Sequence, residues 1–505
     1  MIPARTIDAA DLAWLVRCER RVWLDQHGTP ATAALPTADA RARMALRAAH
    51  TRHILDALEG ATRLTGHDWP DALMQTARAM QRGDRLIIGA ALEAPLDDRL
   101  LRGLPDILIR IEVPSALGGW SYQPVAIALH SRPTRWDRLL LNAWRWLVGA
   151  MQGVDPAGEL WLGAAATRPA HVSRQVASLD AFVAQVKQAA LIGAGDVPPI
   201  WFDSDHCPFC PWRLACDAAA HESGDVALLP GLSRRQGLAL RRRGIRQIAQ
   251  VPALDSAMLA ALPDGSPYAG VLLKLQAQAL LAGRPVVVGG GAMPLPRAGM
   301  FLDIETDPLT RIPWAFGLTS TGGITSIIVV GSALDDRAVQ VAGTSLLLVR
   351  NVHEGWNLVL HAAQAAGGVM AHWGEAERLV LQQSAGRRVE QELAPLLLDA
   401  QRELGRRVAL PVPRMSDQRG GGLKAIARWL GWSWAAGADH WTLAWGAYQH
   451  WMAQRSRQAA LEMLTPAVVY LRADVEALAA VWRWFEAFML QTINAGGALP
   501  DSHGD

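Results

Sequence analysis

The chain is 505 residues long, half hydrophobic and 19% charged, with a formal net charge of +2. That length exceeds one ordinary domain, the apolar content excludes a disordered chain, and the near-neutral charge is no general signature of a polyanion binder. Lysine occurs only at Lys187, Lys274 and Lys424 among 49 basic side chains, so any chemistry needing a lysine before residue 187 is closed. No apolar run reaches the ~18 residues of a membrane span, and residues 1–6 lack the apolar stretch of a secretory signal. A cytoplasmic protein with no membrane partner is expected. In that reducing compartment, four cysteines argue against a disulfide framework.

Residues 1–222 open with helical patterning over 8–25 and 37–58. Strand-like segments follow at 85–90, 106–112 and 122–129, then a helix over 136–151 and a strand at 159–163. This mixture predicts an α/β domain. Residues 223–296 read as a connector: one short helix ends at Gly244, another starts at Ile245, and Gly283 to Pro296 has the composition of a linker. Residues 297–505 begin again with a strand at 300–306, continue with strands at 325–330 and 338–341, and turn helical from Gly355. The fold class expected is α/β multi-domain.

The cysteines are Cys18 and, far downstream, Cys207-Pro-Phe-Cys210 followed by Cys216. A CxxC turn lets two thiolates converge on one metal, and the next helical turn can return a third. On spacing alone, zinc, an iron–sulfur cluster and buried structural thiols all remain open. The one-plus-three arrangement resembles the iron–sulfur staple of RecB-like PD-(D/E)XK nucleases. That resemblance implies a restriction-endonuclease-like core over 1–222, with Cys18, Cys207, Cys210 and Cys216 holding a [4Fe–4S] cluster.

The same family places a metal-binding Asp before a strand that carries an acid-x-Lys pair. Gly103-Leu-Pro-Asp106 supplies the first element, but the following strand reads Val125-Ala126-Ile127-Ala128-Leu129, with alanine at both expected positions. The upstream His-Glu pair appears as His50-Thr51, and the later Gln-x₃-Tyr as Arg138 and Asn142. The domain therefore reads as a nuclease fold that has lost catalysis and is kept to bind or guide substrate.

A second set of carboxylates begins at Asp303-Ile-Glu305, where a strand's period of two points both side chains to one face. Two acids that close repel unless divalent cations lie between them. Tyr470 and Asp474 stand four residues apart, stacked on one helix face, and His372-Trp-Gly-Glu-Ala-Glu377 opens another predicted helix. In this order the motifs resemble the RNase H-like DEDD exonucleases of the tyrosine-bearing branch. The resemblance implies two Mg²⁺ or Mn²⁺ ions held by Asp303, Glu305, Glu377 and Asp474, and a water oriented by Tyr470. Asp399 also has a counterpart in that fold and reads as a structural carboxylate more than as a ligand, with the choice between it and Glu377 for the metal site left open. Glu377 stands where many relatives have Asp.

Residues 231–250 contain Arg234, Arg235, Arg241, Arg242, Arg243 and Arg246 without one acid, around Gly231 and Gly244. This resembles a helix–hairpin–helix, which offers phosphates both backbone N–H groups and sequence-independent charge. Lys424 and Arg428, one turn apart, read equally as phosphate contacts or as a solvated helix face; Trp429, Trp432 and Trp434 read mainly as core. The whole is expected to be a metal-dependent nuclease, a 3′–5′ exonuclease acting on DNA more than RNA, with a helicase or repair/defence protein as partner. The competing expectation is a non-catalytic iron–sulfur scaffold that binds nucleic acid.

Overall fold

The computed structural model describes residues 5–494 except 16, 30–32, 97–98, 164–168, 177, 204, 264–265, 290–294, 309, 332–337, 418–420, 436–439, 455 and 457. It is a mixed α/β protein of two compact units. Unit one comprises residues 1–36, 40–200 and 209–212; unit two comprises 37–39, 201–208 and 213–505. The predicted connector falls within unit two. Among the described residues, no helix is long and apolar enough to cross a membrane.

Unit one carries β1 (Arg5–Asp8), β2 (Thr62–Arg63), β3 (Leu86–Ile88), β4 (Leu92–Leu96), β5 (Arg99–Gly103), β6 (Ile107–Ile111), β7 (Ser121–Ala128), β8 (Gly158–Leu162) and β9 (His171–Gln175). Six form a sheet in the order β2-β3-β6-β7-β8-β9, and β1-β5-β4 form a smaller one. Every residue of β7 is buried, as expected of a central strand covered on both faces. One cover is the helix Arg135–Gln152, which starts at a Thr134/Asp137 capping box and buries Leu139, Leu140, Leu141, Trp144, Leu147 and Val148. Each such aliphatic side chain contributes about 1.5–3 kcal/mol on full burial, which fixes the helix on the sheet. The helix predicted over 8–25 is instead two, Ala9–Leu15 and Glu19–His27, because Cys18 is extended (φ −153°, ψ 101°) and caps the second.

Unit two carries β10 (Val286–Val287), β11 (Ala298–Thr306), β12 (Pro313–Ser320), β13 (Thr325–Val330), β14 (Ala338–Val341), β15 (Thr344–Val349), β16 (Val369–His372), β17 (Leu397–Asp399) and β18 (Val408–Ala409). Seven form one sheet in the order β14-β15-β13-β12-β11-β16-β17. The strands β11, β12 and β13 are successively antiparallel, whereas β16 and β17 join beside β11 in parallel. The 30-residue helix Thr465–Asn494 buries Val468, Leu471, Val475, Leu478, Trp482 and Phe485 at alternating three- and four-residue steps. That stripe is what seats the helix. It comes down on β12 at Gly317, where a Cβ would stand 3.3 Å from the Leu471 carbonyl oxygen.

Two connector expectations are corrected. No helix starts at Ile245: residues Ile248–Gln250 make a single 3₁₀ turn, and the helices that follow are Ser256–Ala260 and Pro267–Ala282. Val251 still has helical backbone angles (φ −69°, ψ −39°), but Pro252 after it has no N–H to donate to the next helical bond, so the turn ends there. Part of the predicted linker is strand β10, paired with β18; Gly290, Gly291 and Pro294 lie outside the described residues.

Candidate metal centre

Strand β11 delivers Asp303 and Glu305 to one face, opposite Gly317 and Ala315 of β12. These small partners let the long helix approach the strands closely, and the register shift between Glu305 and Thr306 interrupts the regular ladder beside them. The long helix contributes Tyr470 and Asp474 from the stripe next to its buried one, so the helix packing aims both at β11. Ligand oxygens of Asp303, Glu305 and Asp474 all lie within 4.8 Å of one another.

The electrostatics of this triad are adverse. Desolvation raises Asp303 well above the usual carboxylate range, and the charges of Glu305, Asp474 and Glu377 raise it further. Glu305 is pushed up to about 8, chiefly by desolvation and then by Asp474, against hydrogen bonding from Tyr470 and the charge of Lys424. Asp474 is raised by desolvation too, offset by Lys424, Trp434 and Tyr470. Burial and the three carboxylates raise the Tyr470 phenol well above its ordinary value, so it stays a neutral hydroxyl with a single proton to offer Glu305 or Asp474.

Two side chains that sequence reasoning placed elsewhere belong here. Trp434 donates its indole N–H to Asp474 Oδ1 at 2.7 Å. Lys424 Nζ lies 3.3 Å from Asp474 Oδ2 and 4.7 Å from the Tyr470 ring centroid. The rarity of lysine was the available signal for Lys424; nothing in the local pattern marks Trp434. Arg428 stacks over Trp434 at 5.3 Å.

Glu377 is not a member of the close triad, although its charge acts on Asp303 and Glu305. It is buried, with Oε2 lying 3.4 Å from Nδ1 of His372. Asp399 accepts hydrogen bonds from the backbone N–H groups of Arg402 at 3.0 Å and Gly374 at 3.1 Å, capping the helix Ala400–Arg407. That is a structural engagement of its carboxylate.

The donor set fits divalent cations. Asp303 Oδ2 is buried without a hydrogen-bond partner, and three like-charged carboxyls share one desolvated place. Carboxylate oxygens suit Mg²⁺ or Mn²⁺. The cysteines form no disulfide: Cys18, Cys207 and Cys216 are half-buried and Cys210 is buried. Cys207 Sγ accepts the Asp203 backbone N–H at 3.2 Å. None of the four belongs to the close-set metal-capable group found among the described residues.

In unit one, Asp106 precedes β6 and accepts the Ile127 backbone N–H at 2.7 Å. The carboxyl is desolvated, which pushes it up to about 6 against that hydrogen bond and the charge of Arg47. It thus meets β7 between the buried Ala126 and Ala128, where the acid and lysine of a nuclease site were expected. The buried His50 has its Nε2 unpartnered.

The arginine-rich segment forms the helix Arg234–Arg242, capped by Ser233 and Gln236. Arg235, Arg242, Arg243 and Arg246 are exposed; Arg234 and Arg241 are half-buried, and Arg241 pairs with Asp225.

No family model matches the chain, and no curated protein matches it. Among solved structures, the crystal structure of SSO0001 is similar at 15% identity, covering 43% of this chain and 88% of that one. Its TM-score of 0.24 carries no argument about fold or function.

Proposed function

We propose that unit two is a metal-dependent nuclease of the RNase H-like DEDD type, cleaving phosphodiesters of DNA or RNA from the 3′ end. The observation that carries this reading is the desolvated triad of Asp303, Glu305 and Asp474. Three carboxyls within 4.8 Å, all with raised proton affinity, form a site whose charge two protons or one divalent cation would relieve. The sheet supports the reading. Leaving aside the β14–β15 hairpin at its edge, the order β13-β12-β11-β16-β17, with only β12 reversed, is the order of an RNase H-like sheet.

Asp303, Glu305 and Asp474 would hold the cations, which when bound activate a water and neutralise charge on the phosphate. Tyr470 keeps its proton and orients the carboxylates of Glu305 and Asp474. Trp434 fixes Asp474 Oδ1, leaving Oδ2 to face Lys424. Lys424 holds positive charge beside the triad, where it can move from Asp474 to a phosphate oxygen once a cation takes its place.

Unit one is read as a RecB-like core that binds or guides nucleic acid without cleaving it, because Ala126 and Ala128 offer no ligand beside Asp106. Cys18, Cys207, Cys210 and Cys216 would hold a [4Fe–4S] cluster, and Arg235, Arg242 and Arg243 would meet phosphates. The test is end-labelled single- and double-stranded DNA and RNA incubated with the full chain in Mn²⁺, Mg²⁺ or EDTA, beside Asp303→Asn. Cation-dependent shortening that vanishes in Asp303→Asn supports the reading. Shortening that survives it sinks the site, and binding without cleavage favours the scaffold.

A further inference from the structure

Strand β16 ends at His372, beside the end of β11 that carries Asp303. His372 is fully buried, with relative exposure of 0%, and neither ring nitrogen has a hydrogen-bond partner. Beside it lies Glu377, whose Oε2 is likewise buried and without a hydrogen bond, 3.4 Å from His372 Nδ1. Nearby in electrostatic terms is Asp303, whose Oδ2 is a third buried atom without a partner. Burying such a group without a partner is costly, so the His372–Glu377 pair and Asp303 Oδ2 each call for one.

We propose that His372 is a positioning residue: its Nδ1–H would hold the Glu377 carboxylate so that Glu377, together with Asp303, could hold a second divalent cation. This deepens the nuclease reading and rests on it. With the proton on Nδ1, a closure of a few tenths of an ångström turns the 3.4 Å approach into a charge-assisted hydrogen bond. One Glu377 oxygen is then fixed by the imidazole, and the carboxylate is oriented toward the cation. This imidazole–carboxylate–metal relay has the logic of outer partners that orient metal ligands elsewhere. The reach of Glu377 matters here. Its side chain is one methylene longer than aspartate and starts on a helix (Ala376–Ser384), so it has more rotamers to restrain. An orienting donor behind it narrows that choice.

The experiment is Mn²⁺ binding to the full chain without nucleic acid, by calorimetry and by electron paramagnetic resonance. Wild type, His372→Leu, His372→Asn and Asp303→Asn are compared, with thermal unfolding of each in EDTA to check the fold. Wild type should bind two ions. His372→Leu, which fills the space but donates nothing, should weaken one ion about 10–100-fold and leave the other unchanged. His372→Asn places an N–H close to the position of Nδ1 and should restore that ion to within a few-fold. Two ions bound with unchanged affinity in His372→Leu overturn the inference and leave the nuclease reading standing. So does equal loss in the Leu and Asn variants with intact unfolding transitions, since that reports filled space and not a donor. Wild type binding one ion also overturns the inference alone. Wild type binding none, or Asp303→Asn binding as wild type does, overturns the nuclease reading and this inference with it.

Discussion

Asp106, just before β6 in unit one, and Asp303, within β11 in unit two, are both desolvated aspartates, yet their surroundings dispose of the charge differently. Asp106 has one backbone N–H from Ile127, the distant help of Arg47, and alanines where ligands would stand. Its pKa of about 6 marks a single carboxyl that can take up a proton and cease to be a problem. Asp303 is raised further still, because Glu305 and Asp474 crowd it, and one proton does not relieve three acids. A lone buried acid is compatible with a scaffold. A crowded triad needs two protons or a divalent cation.

The most severe way to break this contrast is to neutralise each aspartate. Asp303→Asn should reduce Mn²⁺-dependent cleavage by on the order of 10³-fold, the scale seen when a transition-state stabiliser is removed. Asp106→Asn should leave it within about two-fold, with similar hydrogen bonding to Ile127. Initial rates on an end-labelled oligonucleotide decide the matter. A large loss in Asp106→Asn would return catalysis to unit one.

A smaller effect, in stability, follows from the raised proton affinities. Glu305 binds its proton better in the folded chain, at about 8 against 4.5 for the free side chain. Its contribution to metal-free stability is therefore full below pH 4.5 and fades as the pH climbs to about 8. Asp106 behaves alike over a narrower window, from 3.8 to about 6. In EDTA the protein should lose a few kcal/mol, in order of magnitude, between pH 5 and 8. Added Mn²⁺ should raise Tm more at pH 8 than at pH 6, because the ion competes with protons. Glu305→Gln should flatten the profile above pH 6, whereas Asp106→Asn should flatten only the part below it. Equal Mn²⁺ shifts at both pH values would contradict the triad as the cation site.

What the sequence disclosed follows the range of the interactions. Asp303 and Glu305 share a face because a strand repeats every two residues, and Tyr470 and Asp474 because a helix repeats every 3.6, so both pairs were legible locally. Strand β7 was legible from its apolar run, along with the alanines within it. The break at Cys18 was not, since residues on either side keep a helical pattern and only the cap geometry interrupts it. Strand β10 was hidden in a glycine- and proline-rich stretch because its partner, β18, lies over a hundred residues away. The convergence of Lys424 and Trp434 on Asp474 is tertiary for the same reason: the helix Leu423–Trp429 and the turn after it must first pack.

Within unit two, Tyr470→Phe sharpens the division between holding cations and orienting groups around them. Phenylalanine keeps the ring beneath Lys424 and removes the hydroxyl that serves Glu305 and Asp474. The cleavage rate at saturating Mn²⁺ should fall about a hundred-fold while the number of bound ions stays the same. Loss of ions in this variant would make Tyr470 part of the cation seat and not an orienting group.

The mildest prediction separates Asp399 from the acids near it. Both of its observed hydrogen bonds go to backbone donors, those of Arg402 and Gly374, so the charge is already engaged by a helix N-terminus and a turn. Asp399→Ala should cost about 2 kcal/mol, from the lost cap and the N–H left without a partner, and lower Tm by a few degrees. Asp399→Asn keeps an acceptor oxygen and should recover most of that loss. Mn²⁺ affinity and cleavage per folded molecule should match wild type in both, because no cation depends on this carboxylate. Were Asp399→Asn to keep its Tm and lose a bound ion, Asp399 rather than Glu377 would be the fourth acid of the centre. The helix cap would then be a role it performs only while the cation is absent.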